Sequence, residues 1–168
     1  MEDKFKKYKD YKTILSVNAL IWCKRKVLML KRAETKSIDP GVYSGIGGKV
    51  EPGESVYDAL VREIEEETGI TEYKSIRPYS VTQHPYPPTD CEWINIYFVV
   101  NIDKQIQIPI SNEGEFHWLD PNKIEDLPVV TDLKKYLQIL SKNPNAFILG
   151  FFDNDKEGHQ TSHKIHIL

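Results

Sequence analysis

Three glutamates in one short segment, Glu63, Glu66 and Glu67, have the spacing of ligands on a single helix face. Residues three and four positions apart are neighbours on a helix surface, whereas Glu65 points in another direction. Like charges at this spacing weaken a helix, so a compensating group is expected. Carboxylate oxygens are the ligands that Mg²⁺ takes, and the ion keeps further positions for water and phosphate. The spacing therefore predicts a Mg²⁺ or Mn²⁺ site, with a solvated acidic face as the alternative.

The residues around these glutamates predict the helix that positions them. Ser55 is the expected N-cap, with Asp58 as the return partner of a capping box, and the helix runs to about residue 68. Gly69 is a typical stop. On a helical wheel an apolar stripe faces the core, and it consists of Tyr57, Leu60, Val61 and Ile64.

Arg62 and Glu54 complete the pattern, because Arg62 can pair with Glu54 or Glu66 and hold the acids in place. Residues 48–70 read GKVEPGESVYDALVREIEEETGI. This arrangement resembles the Nudix box at every defined position, and a pattern this long is far more specific than a short phosphate-loop match. The resemblance implies supporting roles for Glu54 and Arg62. It also implies metal binding by the carbonyl oxygen of Gly48 and the carboxylates of Glu63, Glu66 and Glu67.

A second acidic pair, Glu113 and Glu115, precedes Trp118. On a loop both side chains can reach the metal site, and on a strand they share a face because they are two residues apart. A solvent-exposed acidic turn is the alternative. Nudix enzymes often place a further glutamate just before a short strand that contains tryptophan. The resemblance therefore implies that Glu113 or Glu115 is an added metal ligand or the general base.

Residues 43–49, YSGIGGK, are the candidate substrate-binding stretch. They are similar to the W-N-G-x-G-G-K stretch of the MutT relatives, which hydrolyse oxidised purine nucleoside triphosphates. Tyr43 replaces Trp, and Ser44 replaces the Asn that lies in the purine pocket of those proteins, which argues against a strict 8-oxoguanine preference. Lys49 can reach a phosphate or lie on the surface. Thr131 falls where MutT has another polar residue that contacts the base.

Length and composition exclude several classes of protein. A chain of 168 residues with 40% hydrophobic and 28% charged residues suits one domain with a core of good size. The net charge of −3 argues against a nucleic-acid polymer as partner. Cys23 and Cys91 form neither a CxxC pair nor a zinc spacing, the N-terminus lacks an apolar signal region, and no run is long enough to span a membrane. We therefore expect a cytoplasmic protein with free thiols and no membrane partner.

The order of the elements predicts an α/β (α+β) fold. Besides the acidic helix, a short helix is expected over 121–127 and an amphipathic helix over 131–141. Residues 84–90 form a proline-rich loop, and 103–111 a loop or a short edge strand. Apolar and β-branched runs predict strands over 13–22, 27–31, 76–83, 93–101, 147–152 and 162–168.

The Nudix resemblance implies an α/β/α sandwich with a mixed central sheet. Residues 145–168 are expected to add a C-terminal β-hairpin. Three roles are open for it: an extra pair of strands in the sheet, the arm of a homodimer, or a lid. The chain 1–168 is then a single Nudix hydrolase domain, with a leader over 1–11, a core over 12–142 and the C-terminal strand pair.

Together these residues predict metal-dependent hydrolysis of a phosphoanhydride bond. The resemblance implies a nucleoside diphosphate linked to another moiety as substrate, above all a nucleoside triphosphate, oxidised or not, cleaved to nucleoside monophosphate and pyrophosphate. Metal polarises the diphosphate and acidifies a water. The proton goes to a carboxylate, for which Glu63, Glu66 and the downstream glutamates are candidates. Pyrophosphatases of ADP-ribose, dinucleoside polyphosphates or nucleotide sugars are the alternatives.

Two rival classes share this fold. Isopentenyl diphosphate isomerases need an extra metal-binding histidine set and a reactive cysteine, for which Cys23 and Cys91 offer no context. Non-catalytic nucleotide-sensing Nudix domains commonly lack carboxylates of the box, whereas all are present here. Replacing Glu66 or Glu67 by Gln separates an enzyme from a sensor, because activity collapses in an enzyme and a sensor has no turnover to lose.

Overall fold

The computed structural model describes residues 12–36, 39–157 and 160–168. Over these residues the chain forms nine strands and two α-helices. The helices are α1 (Val56–Thr68) and α2 (Thr131–Lys142). The strands are β1 (Lys12–Cys23), β2 (Lys26–Arg32), β3 (Tyr43–Ser44), β4 (Ile46–Lys49), β5 (Ser75–Tyr86), β6 (Cys91–Asn101), β7 (Gly114–Leu119), β8 (Ile148–Asn154) and β9 (Gln160–Ile167). The leader predicted over 1–11 lies outside the described residues.

One mixed sheet organises the molecule, in the order β3-β2-β1-β6-β5-β8-β9, with β4 paired to β1 and β7 to β2. The pairs β1–β6 and β5–β8 are parallel, and the other pairs are antiparallel. Strand β1 changes partner along one edge. Its first part pairs with β4 from Ser16 to Ala19, and its last part pairs with β2 from Ile21 to Cys23. The two ends of β1 therefore have different surroundings.

The two α-helices cover opposite faces of this sheet. Alternate residues of β1 point to opposite sides. Val17 and Ala19 pack in the cluster that contains Leu60 and Ile64 of α1. Leu20 packs in a second cluster with the buried face of α2, formed by Leu133, Tyr136, Leu137 and Leu140. The predicted α/β/α sandwich with a mixed sheet is confirmed, and so is the amphipathic character of α2.

Helix α1 begins and ends where the sequence predicts. The Ser55 side chain accepts a hydrogen bond from the Asp58 amide at 3.1 Å, and its hydroxyl donates to the Asp58 carboxylate at 2.7 Å. The helix ends at Gly69, whose amide donates to the Glu65 carbonyl. The predicted core stripe is wrong at Tyr57, which is 55% exposed, and at Val61, which is only half-buried and belongs to neither core cluster. Leu60 and Ile64 are buried as predicted, and Ala59 is buried beside them. Tyr57 lies in the first turn, where its amphipathic ring tolerates water.

Two further boundaries differ from the sequence prediction. Strand β5 continues through His84–Tyr86, where Pro85 lies opposite Glu92 of β6. On the other edge the pairing with β8 ends at Gln83, and there the Pro85 carbonyl accepts a hydrogen bond from the Asn154 side chain, so β8 does not require a proline amide. Only Pro87–Thr89 form a 3₁₀ turn. The helix predicted over 121–127 is a 3₁₀ turn, Pro121–Lys123, capped by Asp120. Residues 103–111, expected as a loop or a short edge strand, form a loop.

The predicted C-terminal hairpin is present. Strand β8 pairs in parallel with β5, and β9 pairs antiparallel with β8 at the edge of the sheet. The hairpin therefore extends the central sheet, while its role as the arm of a homodimer stays a prediction. Neither α1 nor α2, the α-helices of the described chain, is long and apolar enough to cross a membrane.

Candidate active site

Two glycines of β4 bring its backbone against β1 and α1. Gly47 and Gly48 pair with Asn18 and Val17 of β1. Gly47 has φ +152°, and a Cβ there would overlap the Val17 carbonyl. A Cβ on Gly48 would collide with the Glu63 carboxylate. A larger residue at position 47 would push β4 away from β1, and a larger residue at position 48 would displace the Glu63 carboxylate.

Arg62 is the hub that holds this region together. Its Nε and Nη2 donate to the two carboxylate oxygens of Glu54 at 2.9 and 3.0 Å, which is a bidentate pair. Nη2 also donates to the carbonyl of Lys49 at 3.2 Å. Nη1 donates to Glu63 at 2.7 Å and to Glu66 at 3.3 Å. One guanidinium thus ties α1 to the loop before it and to the end of β4.

The charges of this hub stabilise one another. The Arg62 guanidinium and the Glu51 amide hold the pKa of the Glu54 carboxyl down at about 2. The same contacts raise the pKa of Arg62, chiefly through Glu54 and then Glu63. Both groups therefore stay ionised near neutral pH. The pairing predicted for Arg62 with Glu54 or Glu66 is confirmed, and both partners are engaged at once.

A cavity of about 550 Å³ opens beside these residues and is lined mainly by acids. Glu113, at the turn before β7, faces it and accepts a 2.6 Å ion pair from Lys36. The structure thus brings Glu113 to the glutamates of α1. The lining consists of Gly47, Glu63, Glu66, Glu67, Ser111, Asn112 and Glu113.

Glu67 is the most deeply buried of these carboxylates. Its Oε1 accepts a hydrogen bond from the Gly47 amide at 3.4 Å, and its Oε2 is buried with no hydrogen-bond partner among the described residues. Burial raises the pKa of Glu67 to about 7, and the charges of Glu63 and Glu113 add to the effect, while Gly47 and Arg32 oppose it. A buried carboxylate oxygen without a donor requires a positive partner or a proton.

This oxygen set fits a hard divalent cation. Glu63, Glu66, Glu67 and the carbonyl of Gly48 supply the oxygen ligands that such ions take. The orphaned oxygen of Glu67 is the observation that favours a cation. Across the described residues, no three acidic, histidine or cysteine side chains already form a close metal-binding group. The Glu63 carboxylate instead accepts a hydrogen bond from Arg62.

The structure does not bring Glu115 into this cavity. The turn Ser111–Gly114 closes through mutual backbone hydrogen bonds, so Glu113 belongs to the turn and Glu115 to β7. Glu115 lies 3.5 Å from His117 and lines a different cavity with Phe116 and Trp118. The two glutamates therefore do not share a face, because the turn separates them.

The predicted substrate-binding residues lie around β3 and β4. Tyr43 is buried on the α2 side of the sheet, edge-on to His117 at 5.7 Å between ring centroids. Its backbone exchanges hydrogen bonds with Pro128 and Val130, immediately before Thr131. The Thr131 backbone begins α2, and its side chain lies outside what the structure describes. Ser44 is half-buried opposite Leu30.

Lys49 is exposed at the end of β4 and lies over the ring of Trp93, 5.4 Å from its centroid. Trp93 belongs to β6, on the far side of β1 from β4. The lysine therefore extends across the sheet rather than away from the molecule.

Comparison with known proteins decides the family. The NUDIX domain profile matches residues 12–140. The chain belongs to the Nudix family. It is 28% identical over 152 residues to the uncharacterized Nudix hydrolase YvcI of Bacillus subtilis (strain 168), covering 88% of this chain and 91% of that protein. It is 34% identical over 114 residues to the nucleoside triphosphatase NudI of Escherichia fergusonii, covering 62% and 81%.

The fold is MutT-like. The MutT protein of Bacillus halodurans superposes with a TM-score of 0.75 over 90% of this chain and 97% of that one, at 22% identity. With relatives named as hydrolases and a complete box, the chain is a Nudix pyrophosphohydrolase. Enzymes of the Nudix family use divalent metal ions.

Two features of this Nudix hydrolase escape sequence reasoning. Arg32 approaches Glu67 closely enough to lower its pKa, and the signal for it is the Lys31-Arg32 pair at the end of a strand. Asp132 follows Thr131 and is buried, with Oδ1 lacking a partner in the described chain and Oδ2 3.9 Å from His84 Nε2. Burial raises the pKa of Asp132 to about 6 and lowers that of His84 to about 4. The sequence gives no signal for Asp132, because an aspartate in the first turn of an amphipathic helix is expected to face solvent.

Proposed function

We propose that this Nudix hydrolase cleaves a nucleoside triphosphate, oxidised or not, to a nucleoside monophosphate and pyrophosphate, with Mg²⁺ or Mn²⁺ as cofactor. The observation that carries the proposal is the buried Glu67 oxygen, which has no hydrogen-bond partner in the described part of the chain and belongs to the same acidic site as Glu63 and Gly48. The similarity to NudI, a protein named as a nucleoside triphosphatase, supports this substrate class. Cys23 and Cys91 are both in the thiol form, which suits the cytoplasmic location expected from the sequence.

The cation would be held by Glu63, Glu66, Glu67 and the Gly48 carbonyl. When bound, it supplies Lewis-acid chemistry, because it neutralises phosphate charge and makes water more acidic. Arg62 and Glu54 act as positioning residues, since the bidentate pair fixes the acids of α1 against β4. Glu113 is the added ligand or the base in this proposal, because it alone of the downstream pair faces the cavity.

The bond changes are those of an in-line displacement. A water oxygen bonds to one phosphorus of the anhydride between the α- and β-phosphates, and the bond from that phosphorus to the bridging oxygen breaks. The leaving oxygen keeps the electron pair. The water proton passes to a carboxylate, for which Glu63, Glu66 and Glu113 are the candidates.

The other end of the nucleotide would lie on the α2 side of β4. In this proposal Lys49 contacts a phosphate, and Tyr43, Ser44 and Thr131 contribute to binding the nucleoside. Asp132 joins this group, because it adjoins Thr131 and carries an unpartnered oxygen among the described residues. A buried carboxylate that holds its proton can donate a hydrogen bond to a base.

A turnover panel with Mg²⁺ tests the proposal. It contains the normal nucleoside triphosphates, 8-oxo-dGTP, ADP-ribose, a dinucleoside tetraphosphate and a nucleotide sugar, and it scores pyrophosphate against monophosphate release. We expect pyrophosphate and a nucleoside monophosphate, fastest from a triphosphate. Faster cleavage of ADP-ribose to two monophosphates would replace the proposed substrate. Absence of turnover in a folded, metal-binding protein would favour the nucleotide-sensing alternative.

A further inference from the structure

A second cavity, also of about 550 Å³, lies at the other end of β1. We call it the distal cavity. Its walls come from the β1–β2 turn, the start of β5, the end of β6, the 3₁₀ turn Pro121–Lys123 and the last turn of α2. Val17 pairs with Gly48 at the acidic cavity, and Trp22 lines the distal cavity. Five residues of strand separate Val17 from Trp22, which is about 16 Å. The two cavities are therefore distinct sites.

The charged groups of the distal cavity are all positive. Of the residues that the structure describes, Lys24, Arg25 and Arg77 line it, and no carboxylate does. Within the described chain none of these three forms an ion pair. The Arg77 guanidinium donates to the backbone carbonyls of Pro78 and Pro144. Asp120, which directly precedes the lining residue Pro121, accepts hydrogen bonds from Asn122.

Cations without carboxylate partners are unusual at a concave surface. Charges of one sign in a cleft focus the electrostatic field and attract a ligand of the opposite sign. Arginine suits phosphate because its guanidinium offers several donors in a fixed plane. The arrangement therefore favours an anion, and three cations favour a dianionic group.

The remaining lining favours a ring attached to that anion. Val99 and Leu140 supply apolar surface, and Asn122 and Asn145 supply amide groups. The indole Nε1 of Trp22 is buried and has no hydrogen-bond partner among the described residues. The cavity has the size of a small-ligand site, and its walls are apolar and polar in similar measure, which suits a ligand with one charged and one apolar part.

We propose that the distal cavity binds a small organic phosphate that carries a ring, of the size of a nucleoside monophosphate. The phosphate contacts Lys24, Arg25 and Arg77, and the ring lies against the Trp22 side. This site requires no divalent metal, because the cations are supplied by the chain. The proposal stands independently of the substrate hydrolysed at the acidic cavity.

Indole signals give a direct test with the full-length protein. The chain has three tryptophans, so a ¹⁵N-labelled sample gives three indole N–H resonances, and Trp22→Phe assigns the one of interest. AMP is the probe, added without divalent metal. We expect a saturable shift of the Trp22 signal, with a Kd of about 1 mM or lower. Trp93, which lies against Lys49 on the catalytic side, is the internal reporter for the other site.

A double variant tests the role of the cations. Lys24→Asn with Arg25→Glu removes two of them, and Asn suits the left-handed backbone at position 24, where φ is +56°. We expect the Kd for AMP to rise by at least about tenfold. Lys26→Gln is the matched control, because Lys26 is the next residue, is exposed and does not line the cavity; its Kd should stay near that of the wild type. Melting midpoints check the folding of each variant, and Arg25→Gln alone replaces the double variant if its midpoint falls.

Four outcomes contradict the proposal. They are an unmoved Trp22 signal at about 10 mM AMP, a shift confined to Trp93, an equal Kd in the cation variant, and an equal response to inorganic phosphate. The last would show an anion site that makes no use of the ring.

Discussion

The two ends of β1 carry cavities of opposite charge and different construction. Where β1 pairs with β4, the wall is acidic, and most of its charge comes from one helix, α1. Where β1 pairs with β2, the wall is basic, and its cations come from the β1–β2 turn and from β5, which is far away in sequence. A site supplied by one segment is visible as a motif. A site supplied by several elements exists only once the sheet has formed.

The two ends also differ in how their charges are held. Arg62 engages three carboxylates and a backbone carbonyl, so the acidic end behaves as one connected network. The cations of the distal cavity have no such hub among the described residues. Substitutions should therefore interact strongly at the acidic end and act separately at the basic end.

The largest expected effect is at Glu67. Glu67→Gln should lower kcat/KM by about 10²- to 10⁴-fold, because it removes a charge from the metal-binding set and the reaction depends on charge neutralisation. Steady-state pyrophosphate release measures it. Glu65→Gln is the matched control, since Glu65 lies on the same helix but points to solvent, and its activity should stay close to wild type. Equal losses in both variants would mean that the charge of α1, rather than its placement, matters.

The network at Arg62 should give the next effect. Arg62→Lys should lower kcat/KM by about 10- to 100-fold, because lysine cannot form the bidentate pair with Glu54. Glu54→Gln should act in the same direction. The double variant should be little worse than Arg62→Lys alone, since both changes break one pair. Fully additive losses would show that Arg62 and Glu54 act independently, and a double-variant cycle of kcat/KM measures this.

The first turn of α2 allows a test by pH, because it contains the buried Asp132, which lies close to the buried His84. Folded Asp132 keeps its proton up to about pH 6, whereas the unfolded chain releases it near 3.8, so its contribution to stability falls as pH rises between these values. Buried His84, with a pKa lowered to about 4 from 6.5, contributes in the opposite sense: stability rises over pH 4 to 6.5.

Asp132→Asn should therefore unmask the contribution of His84. Relative to wild type, the free energy of unfolding of the variant should increase by about 1–2 kcal/mol between pH 4 and 6. Urea denaturation at several pH values measures it. The exposed Asp126→Asn is the control and should run parallel to wild type. Parallel curves for Asp132→Asn as well would mean that burial does not shift the Asp132 carboxyl.

The smallest effect concerns the anchoring of α1, on which the acidic end depends. Tyr57→Ala should change the free energy of unfolding by less than about 0.5 kcal/mol, because the side chain is mostly exposed. Leu60→Ala, three residues later and fully buried, should cost about 2–5 kcal/mol. Chemical denaturation compares them. A large loss of unfolding free energy in Tyr57→Ala would mean that Tyr57 does belong to the apolar stripe predicted from the helical wheel.

The acidic end could be predicted closely from the sequence because its information is local. Cap, stop, ligand spacing and the Arg62 pairing all lie within one helix and the loop before it, where period and side-chain chemistry decide the outcome. Strands β1, β2, β5, β6, β8 and β9 were predicted for the same reason, although β5 continues beyond its predicted end through Pro85. The short strands β3, β4 and β7 were not among the predicted ranges. The boundary of a strand is set by its partner as well as by its own residues.

The parts that could not be predicted depend on topology. Glu113 and Glu115 are equivalent in the sequence, and only the turn Ser111–Gly114 separates their directions. Asp132 approaches His84 because α2 packs on the face of β5. The distal cavity joins residues from both halves of the chain, and nothing in the spacing of Lys24 and Arg77 indicates that they meet.

The parallel pairing of β1 with β6 has a consequence for synthesis. Ser16 and Asn95 meet across this pair although 79 positions separate them. At ribosomal speed, β1 would wait roughly 4–16 s for its partner, with an apolar strand edge uncovered. Such non-local pairing folds slowly and exposes a template for aggregation. A nascent chain of this protein therefore depends on protection of one early strand, and loss of that strand would remove both cavities at once.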